Sequence, residues 1–369
     1  MGKEAKEIKV LHLETALEWR GGQQQISYLV QGMLRQAVPT ALVCRPQSKI
    51  HQYFKANQLP VFTQNIRHGL DFFAARQIAR LVRQQGFNIL HAHSSHALML
   101  GLLVKMMSGS LKLVASRRVD FSVRKSIVGS LKYNNALVDK VICISENIAR
   151  VLINDGLPEA KLEIIHSGID VSRFEWQKPD SLREELKIPA DHLVVGTVAA
   201  LVGHKDYPNL LQAAKIVRQE FEKVTFVAVG DGADRSKLES LKHELNLVEH
   251  FIFVGFRNDL DRFYSLFDLF VLASHKEGLG TSVLDALACG LPVVGTMAGG
   301  IPEMIEPEIN GLLVPAKNPQ ALAQAILRIL KNQILREKLA LNARSSVQKF
   351  SVEQMVQKHL ALYRSLLDE

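Results

Sequence analysis

Short apolar runs alternate with segments of helical period along nearly the whole chain. In the first half the runs fall at 8–13, 40–44, 89–93, 112–116, 140–144 and 162–166. Their length and β-branched content predict buried strands, and the intervening segments, such as the one carrying Ile26, Leu29, Val30 and Met33, predict helices. This alternation predicts a parallel sheet wrapped by helices. It stops in a charged, proline-bearing stretch at 175–191 that holds one short helix at 182–186, and resumes with apolar runs at 192–199, 225–229, 251–255, 269–273 and 290–296. The expected organisation is therefore two α/β domains, 1–174 and 192–351, joined by a linker at 175–191. A last helix, 352–369, follows Ser351 as its cap and carries Met355, Leu360, Tyr363 and Leu366 on one side.

The chain has 369 residues, of which 47% are apolar, enough for two cores of ordinary size. Its net charge of +8 is uneven: 23 Lys and Arg stand against 13 Asp and Glu through residue 175, and 22 against 24 beyond it. The asymmetry suits either an acidic partner for the first half, be it anionic lipid, a phosphorylated glycan or nucleic acid, or simply a solvated surface. No run of Lys and Arg interleaved with aromatics occurs, which argues against nucleic acid. The charged start Met1–Glu7 leads directly into a strand, with no apolar core of a signal peptide, and Lys6 breaks the myristoylation pattern. The longest membrane-like run, 97–104, is stopped by Lys105, far short of a span. A cytoplasmic protein is expected, with at most peripheral contact at the inner face of the membrane. Cys44, Cys143 and Cys289 lack paired spacing and read as buried thiols.

Chemistry concentrates between Asp268 and Pro315. The apolar run ending at Ala273 meets the turn Ser274-His275-Lys276-Glu277-Gly278-Leu279-Gly280, and a helical pattern opens at Thr281. First-turn amides of such a helix lack internal partners and carry the positive end of the dipole, so they suit a phosphate. Glu277 and Asp285 flank that nest, and a carboxylate accepts paired hydrogen bonds from vicinal sugar hydroxyls. Gly290-Leu291-Pro292-Val293 and Gly299-Gly300-Ile301-Pro302-Glu303 follow.

This order of motifs resembles the retaining glycosyltransferase family 4, whose signature is E-x7-E followed by G-x-P-V and G-G-x-x-E. Asp285 departs from it, standing where the family usually has Glu. The resemblance runs over nearly all of 8–367. It implies a GT-B architecture of two Rossmann-like domains facing an interdomain cleft, the last helix returning to the first domain. It also implies a nucleoside-diphosphate sugar as donor; a metal is not implied, since cations and helix amides can stabilise the departing diphosphate, and no other cofactor is expected. Glu277, Gly278, Leu279, Gly280, Thr281 and Asp285 would bind the donor, Gly21 and Gly22 would lie beside its diphosphate, and the edge from Val254 to Arg257 would face the nucleobase. Lys205 matches the lysine that neutralises the diphosphate, but the family's arginine is Ala200 here, so Arg257 or His204 is expected to compensate. In Ile164 to Phe174, His166-Ser167 replaces the usual pair before Gly168.

The histidines of His91-Ala92-His93-Ser94-Ser95-His96 sit where open α/β sheets bind ligands. Three histidines so close raise metal binding, but no nearby carboxylate or cysteine completes a set. The family's H-x-H motif implies instead that His93 meets the transferred sugar, His91 being a core residue. Arg117 and Arg118 follow the next strand and suit an anionic acceptor, or pair with Asp120. The expected catalytic residues are His93, Glu277 and Lys205. The expected reaction is sugar transfer to a hydroxyl of a glycan or lipid-linked acceptor, in cell-envelope or lipopolysaccharide synthesis. The alternative is a non-catalytic nucleotide-sugar-binding scaffold, for which Ala200 and Asp285 speak.

Overall fold

The structure is a computed structural model describing residues 6–125, 127–173 and 182–368. The chain divides into two compact units, one of residues 1–168 with the C-terminal helix from Val352, the other of 169–351.

The first unit is built on seven strands, β1 (Val10–Leu13), β2 (Thr40–Cys44), β3 (Val61–Thr63), β4 (Ile89–Ala92), β5 (Lys112–Arg117), β6 (Lys140–Cys143) and β7 (Leu162–Ile164). All pair in parallel, in the order β3-β2-β1-β4-β5-β6-β7. Helices α1 (Gly21–Arg35), α2 (Lys49–Ala56), α3 (Phe72–Gln85) and α4 (Ser95–Ser108) make the crossovers between β1 and β5. Strand β3 has no counterpart among the expected strands: Phe62 and Thr63 are exposed, so this edge lacks the continuous apolar run of a central parallel strand.

The C-terminal helix Val352–Asp368 packs on this sheet. Its Val352, Met355, Val356, Leu360, Tyr363 and Leu366 join Val10, Leu29, Met33, Ile89 and Val114 in one core. Gly32 permits the approach, since a Cβ there would lie 2.4 Å from Val356 Cγ2. The division between units falls at Gly168, before the expected 174, for a visible reason. The Gln25 side-chain amide donates to the Gly168 carbonyl (2.8 Å) and accepts from its amide (2.7 Å), whereas the Ile169 amide donates to Phe350 of the second unit (2.8 Å). Of the expected linker, 175–181 and the neighbouring Phe174 lie outside the described residues. Leu182–Glu185 is its short helix, anchored by the buried Leu182.

The second unit holds β8 (Leu193–Val198), β9 (Val224–Val229), β10 (Phe251–Gly255), β11 (Leu269–Leu272), β12 (Val293–Thr296) and β13 (Gly311–Val314), parallel in the order β10-β9-β8-β11-β12-β13. Strand order reverses direction between β1 and β4 in one unit and between β8 and β11 in the other. At such a switch point the two crossovers leave on opposite faces, which opens a crevice at the carboxyl ends of the strands. No helix among the described residues is long and apolar enough to cross a membrane.

Candidate active site

In the second unit the β11 carboxyl end feeds the turn 274–280 and the helix Thr281–Ala288. Gly280 caps this helix at φ +93° with no side-chain cap, and a Cβ there would press on Glu277 Cγ and Leu272 at 3.1 Å. The Val283 amide donates to the Gly280 carbonyl (2.9 Å), and the Thr281 and Ser282 amides are left to an external acceptor. Leu279 is buried, so its backbone alone is offered to a ligand.

Glu277 is fixed from three directions. Its carboxylate forms an ion pair with Lys205 Nζ, and the buried Ser274 hydroxyl donates to its Oε2 at 3.2 Å. Its carbonyl accepts from the Gly300 amide (3.3 Å). Gly299, at φ +55°, lies so close that a Cβ would fall 1.7 Å from the Glu277 carbonyl oxygen, which gives the Gly-Gly pair a role in seating the glutamate. Lys205 ends a short turn, Gly203–Lys205, after β8, and the His275 amide donates to the His204 carbonyl at 3.0 Å, tying that turn to the glutamate loop. Both partners of the pair are largely shielded, 15% and 13% exposed. An ammonium has three N–H donors, so Lys205 can hold Glu277 and still reach a phosphate.

Asp285 sits half-buried, with the Tyr264 hydroxyl donating to its Oδ2 at 3.5 Å. Ala200 is exposed in the loop after β8, and Gly230 and Gly232 pack against the backbone of that loop, where any Cβ would collide with the Ala199 and Leu201 carbonyls. Arg257, expected to compensate for Ala200, is engaged by acids of its own unit. Asp259 accepts from both its Nε (2.8 Å) and Nη2 (2.7 Å), Glu185 lies 3.5 Å away, and the guanidinium covers the Phe263 ring. These acids hold Arg257 charged and raise its pKa further, so it clamps the loop after β10. Beside it Val254 is half-buried and Phe256 is 73% exposed, a flat apolar surface that the strand pattern did not single out.

In the first unit the β1 and β4 ends gather His12, His91, His93 and Glu14, all buried. His91 is a satisfied core histidine, bonded through Nδ1 to the Tyr363 hydroxyl (2.7 Å) and through Nε2 to Ser116 Oγ (2.8 Å). His93 Nε2 lies 2.9 Å from His12 Nδ1, and its Nδ1 lies 3.4 Å from Arg118 Nη2. The guanidinium only donates, so His93 Nδ1 accepts and its proton sits on Nε2, donated to His12. The His12 proton then sits on Nε2, a buried donor without a partner among the described residues. Burial brings His12 down to about 3 and His359 to about 4, and holds His91 and His93 well below the ordinary imidazole value, so all four are neutral at pH 7.

His12, His91 and His93 offer ligand atoms within 4.8 Å of one another, and His96, expected in the cluster, is exposed outside it. The set does not converge as a metal site: Tyr363 and Ser116 occupy both nitrogens of His91, and the charged Arg118 faces His93.

Arg118 keeps its charge, its pKa lowered by burial to about 10 with Glu14 working in the opposite direction. Its stem lies over the start of α1, 3.5 Å from where a Cβ of Gly22 would be. Gly21 and Gly22 are thus the first residues of the helix itself, not a loop before it. Glu14, which the sequence reading passed over, accepts from the Thr15 amide (2.6 Å), the Ala16 amide (3.0 Å) and Gln23 Nε2 (3.1 Å), fixing that helix start. Arg117 turns inward: its Nη2 donates to the Phe121 carbonyl (2.5 Å) and the guanidinium covers Tyr133. Among the described residues neither arginine forms an ion pair with Asp120. A separate cleft of about 630 Å³ opens beyond β2 and β3, and Arg45, Lys49 and Arg67 line it with Glu18 as its one acid. None of these three cations is ion-paired among the described residues.

Two family models match the chain, one described as Glycosyltransferase Family 4 over 19–173 and one as Glycosyl transferases group 1 over 179–346. The chain is 25% identical over 305 residues to the N-acetyl-alpha-D-glucosaminyl L-malate synthase of Bacillus anthracis, covering 80% of each protein. It is 24% identical over 375 residues, 96% of each, to the Escherichia coli UDP-Gal:alpha-D-GlcNAc-diphosphoundecaprenol alpha-1,3-galactosyltransferase. Among solved structures, Anabaena Alr3699/HepE in complex with UDP-glucose superposes with a TM-score of 0.85 at 23% identity, over 97% of this chain and 100% of that one. With two parallel Rossmann-like sheets and both family segments in place, the chain belongs to the retaining, GT-B-fold glycosyltransferases of family 4, which transfer a sugar from a nucleotide-sugar donor.

Proposed function

We propose that this enzyme transfers a sugar from a uridine-diphosphate sugar to a hydroxyl of a phosphate-bearing, lipid-linked glycan in cell-envelope synthesis, lipopolysaccharide precursors included. The observation that carries the donor side is the shielded Lys205–Glu277 pair beside the uncapped helix start at Gly280. The Escherichia coli relative's UDP-Gal donor and diphosphoundecaprenol-linked acceptor, together with the UDP-glucose in the HepE complex, support the nucleotide and the lipid-linked class. On the acceptor side the support is the cleft whose three cations have no ion pair among the described residues, against one acid, which suits a phosphate group.

In this reading Lys205 and the helix amides hold the diphosphate, Glu277 receives hydroxyls of the transferred sugar, Asp285 receives the ribose, and His93 is a further residue for the sugar. The acceptor oxygen bonds to the anomeric carbon on the face from which the phosphate leaves. The bond from that carbon to the phosphate oxygen breaks, and the acceptor proton passes to the departing phosphate. Preorganised charge at the leaving group supplies the stabilisation, without a resident metal.

The test is a panel of UDP-sugars, each with and without polyprenyl-diphosphate-linked and lipopolysaccharide-core acceptors, read as UDP released and as product mass. Acceptor-dependent release is expected. The paired Arg45→Ala and Arg67→Ala substitutions should raise the acceptor KM and leave the donor KM unchanged. Turnover only with another nucleotide's sugars, or only with uncharged acceptors, would refute the reading.

A further inference from the structure

Helix α3 carries a face that the sugar-transfer chemistry does not explain. Its inner side, Ala74, Ala75, Ile78, Ala79 and Val82, is buried. Its outer side shows Phe72 at 57% and Phe73 at 79% exposure, followed by the exposed Arg76, Arg80 and Arg83, and Leu70 stands just before it at 61%. At 3.6 residues per turn, positions 72, 73, 76, 80 and 83 fall within about 100° of arc, so the two rings and three guanidinium groups share one side. No acidic residue occurs from 72 to 85. Asp71, next in line, is turned inward as the helix cap, accepting from the Ala74 amide (3.0 Å) and the Arg67 amide (3.2 Å). Among the described residues neither Arg76 nor Arg80 forms an ion pair.

The aromatic end is braced. Gly69 packs so closely on α4 that a Cβ would meet Met99 Cβ at 3.0 Å and the His96 carbonyl at 3.3 Å, and Ala74 and Ala75 anchor the first turn. Large apolar side chains held outward on a fixed backbone leave apolar surface in water unless something covers it. The cover must be apolar where it meets Leu70, Phe72 and Phe73, and anionic where it meets the arginine row. A bilayer leaflet with anionic headgroups has that layering, with acyl chains beneath phosphates, and a helix of this make-up lies in its interface.

We propose that α3 and the turn before it dock this enzyme on an anionic bilayer, the rings entering the acyl boundary and Arg76, Arg80 and Arg83 lying among the phosphates. The inference rests on exposure and charge alone. It extends the lipid-linked acceptor reading by bringing the enzyme to the surface that displays such an acceptor.

The experiment is co-sedimentation of the whole protein with vesicles of phosphatidylcholine, with and without phosphatidylglycerol, in the absence of donor and acceptor. The wild type should partition onto the anionic vesicles and be released as salt is raised. The double substitution Phe72→Ser with Phe73→Ser should weaken partitioning about tenfold or more. The double substitution Arg76→Gln with Arg80→Gln should weaken it on the order of fivefold per arginine and flatten the salt dependence. Thermal unfolding of both variants should match the wild type, because the altered side chains lie outside the core. Equal binding to both vesicle types, wild-type partitioning by the phenylalanine variant, or retention on heparin with no vesicle binding would each overturn the proposal. Partitioning is read without catalysis, so its failure leaves the transferase reading standing, and a failed donor screen leaves the docking surface standing.

Discussion

The buried histidines of the first unit make its stability fall steeply with acid, and the size of the effect can be worked from their surroundings. His12, His91, His93 and His359 are 5% exposed or less, and burial is the leading cause that lowers each pKa. Arg118 presses on His91, His93 and His359 and further disfavours their imidazolium forms. The unfolded chain protonates each ring near pH 6.5, whereas the folded chain holds His12 neutral to about 3 and His359 to about 4. Below pH 6.5 the unfolded state thus binds the extra protons. Stability is fully present above that pH and is lost as pH falls, by about 1.4 kcal/mol per pH unit per histidine. Between pH 6.5 and 5 that is about 2 kcal/mol for each, so the His12 and His359 pair alone should cost about 4 kcal/mol, a large share of an ordinary domain's stability. His91 and His93 act in the same direction. The assay is urea unfolding of the whole chain at constant ionic strength from pH 7.5 to 5, beside His359→Gln, which removes one ring from the C-terminal helix. That variant should unfold with a slope against pH shallower by about 1.4 kcal/mol per unit. A slope parallel to the wild type, or wild-type stability flat from pH 6.5 to 5, would refute the reasoning.

Lys205→Ala should cut turnover about a hundredfold or more, since it removes a preorganised charge from the leaving group and leaves Glu277 unpaired; Lys205→Arg should restore part of it, and a loss under about threefold in steady-state assays would exclude the assigned role. Asp285→Ala should raise the donor KM with a smaller change in turnover, read by the same kinetics together with calorimetric UDP binding. Phe256→Ser should weaken UDP binding if the exposed ring is where the base rests, and unchanged calorimetry would remove it from the site. Gly299→Ala should abolish transfer even where the protein folds, because its Cβ has no room beside the Glu277 carbonyl; wild-type turnover would show that the glutamate needs no such seat.

What was legible in the sequence followed from local pattern. Central parallel strands are buried on both faces and announce themselves as apolar runs, whereas edge strand β3, with Phe62 and Thr63 in solvent, does not. Glu277 and Lys205 were legible because each sits in an ordered motif, but their mutual contact was not, since 72 positions separate them. His12 and Glu14 were invisible as site residues for the same reason: only the pairing of β1 with β4 brings His12 opposite His91. The arginines show the limit most directly. Arg117 and Arg118 are neighbours with identical side chains, and strand alternation turns one into the fold towards Tyr133 and leaves the other over Gly22. The engagement of Arg257 by Asp259, two residues on, was not singled out in the sequence either, since a charged pair at that spacing is common in any loop.

Ala200, which stands where the family resemblance places an arginine, bears on how the proposed donor half would work. In a pair of cations, one can hold the diphosphate while the other balances the nearby acid. Here a single ammonium contacts Glu277, and Arg257 is committed elsewhere. A point charge with three rotatable donors can serve a carboxylate and a phosphate together, whereas a planar guanidinium fixed on one carboxylate cannot turn to the other. The lysine is therefore the side chain best suited to stand alone at this position. In the proposed reading its partnership with Glu277 also couples the two ligands, because the lysine proposed for the diphosphate holds the carboxylate proposed for the sugar. Binding of the nucleotide should then stiffen Glu277 before the sugar is engaged, which makes UDP affinity and sugar orientation properties of one ion pair rather than of two separate subsites.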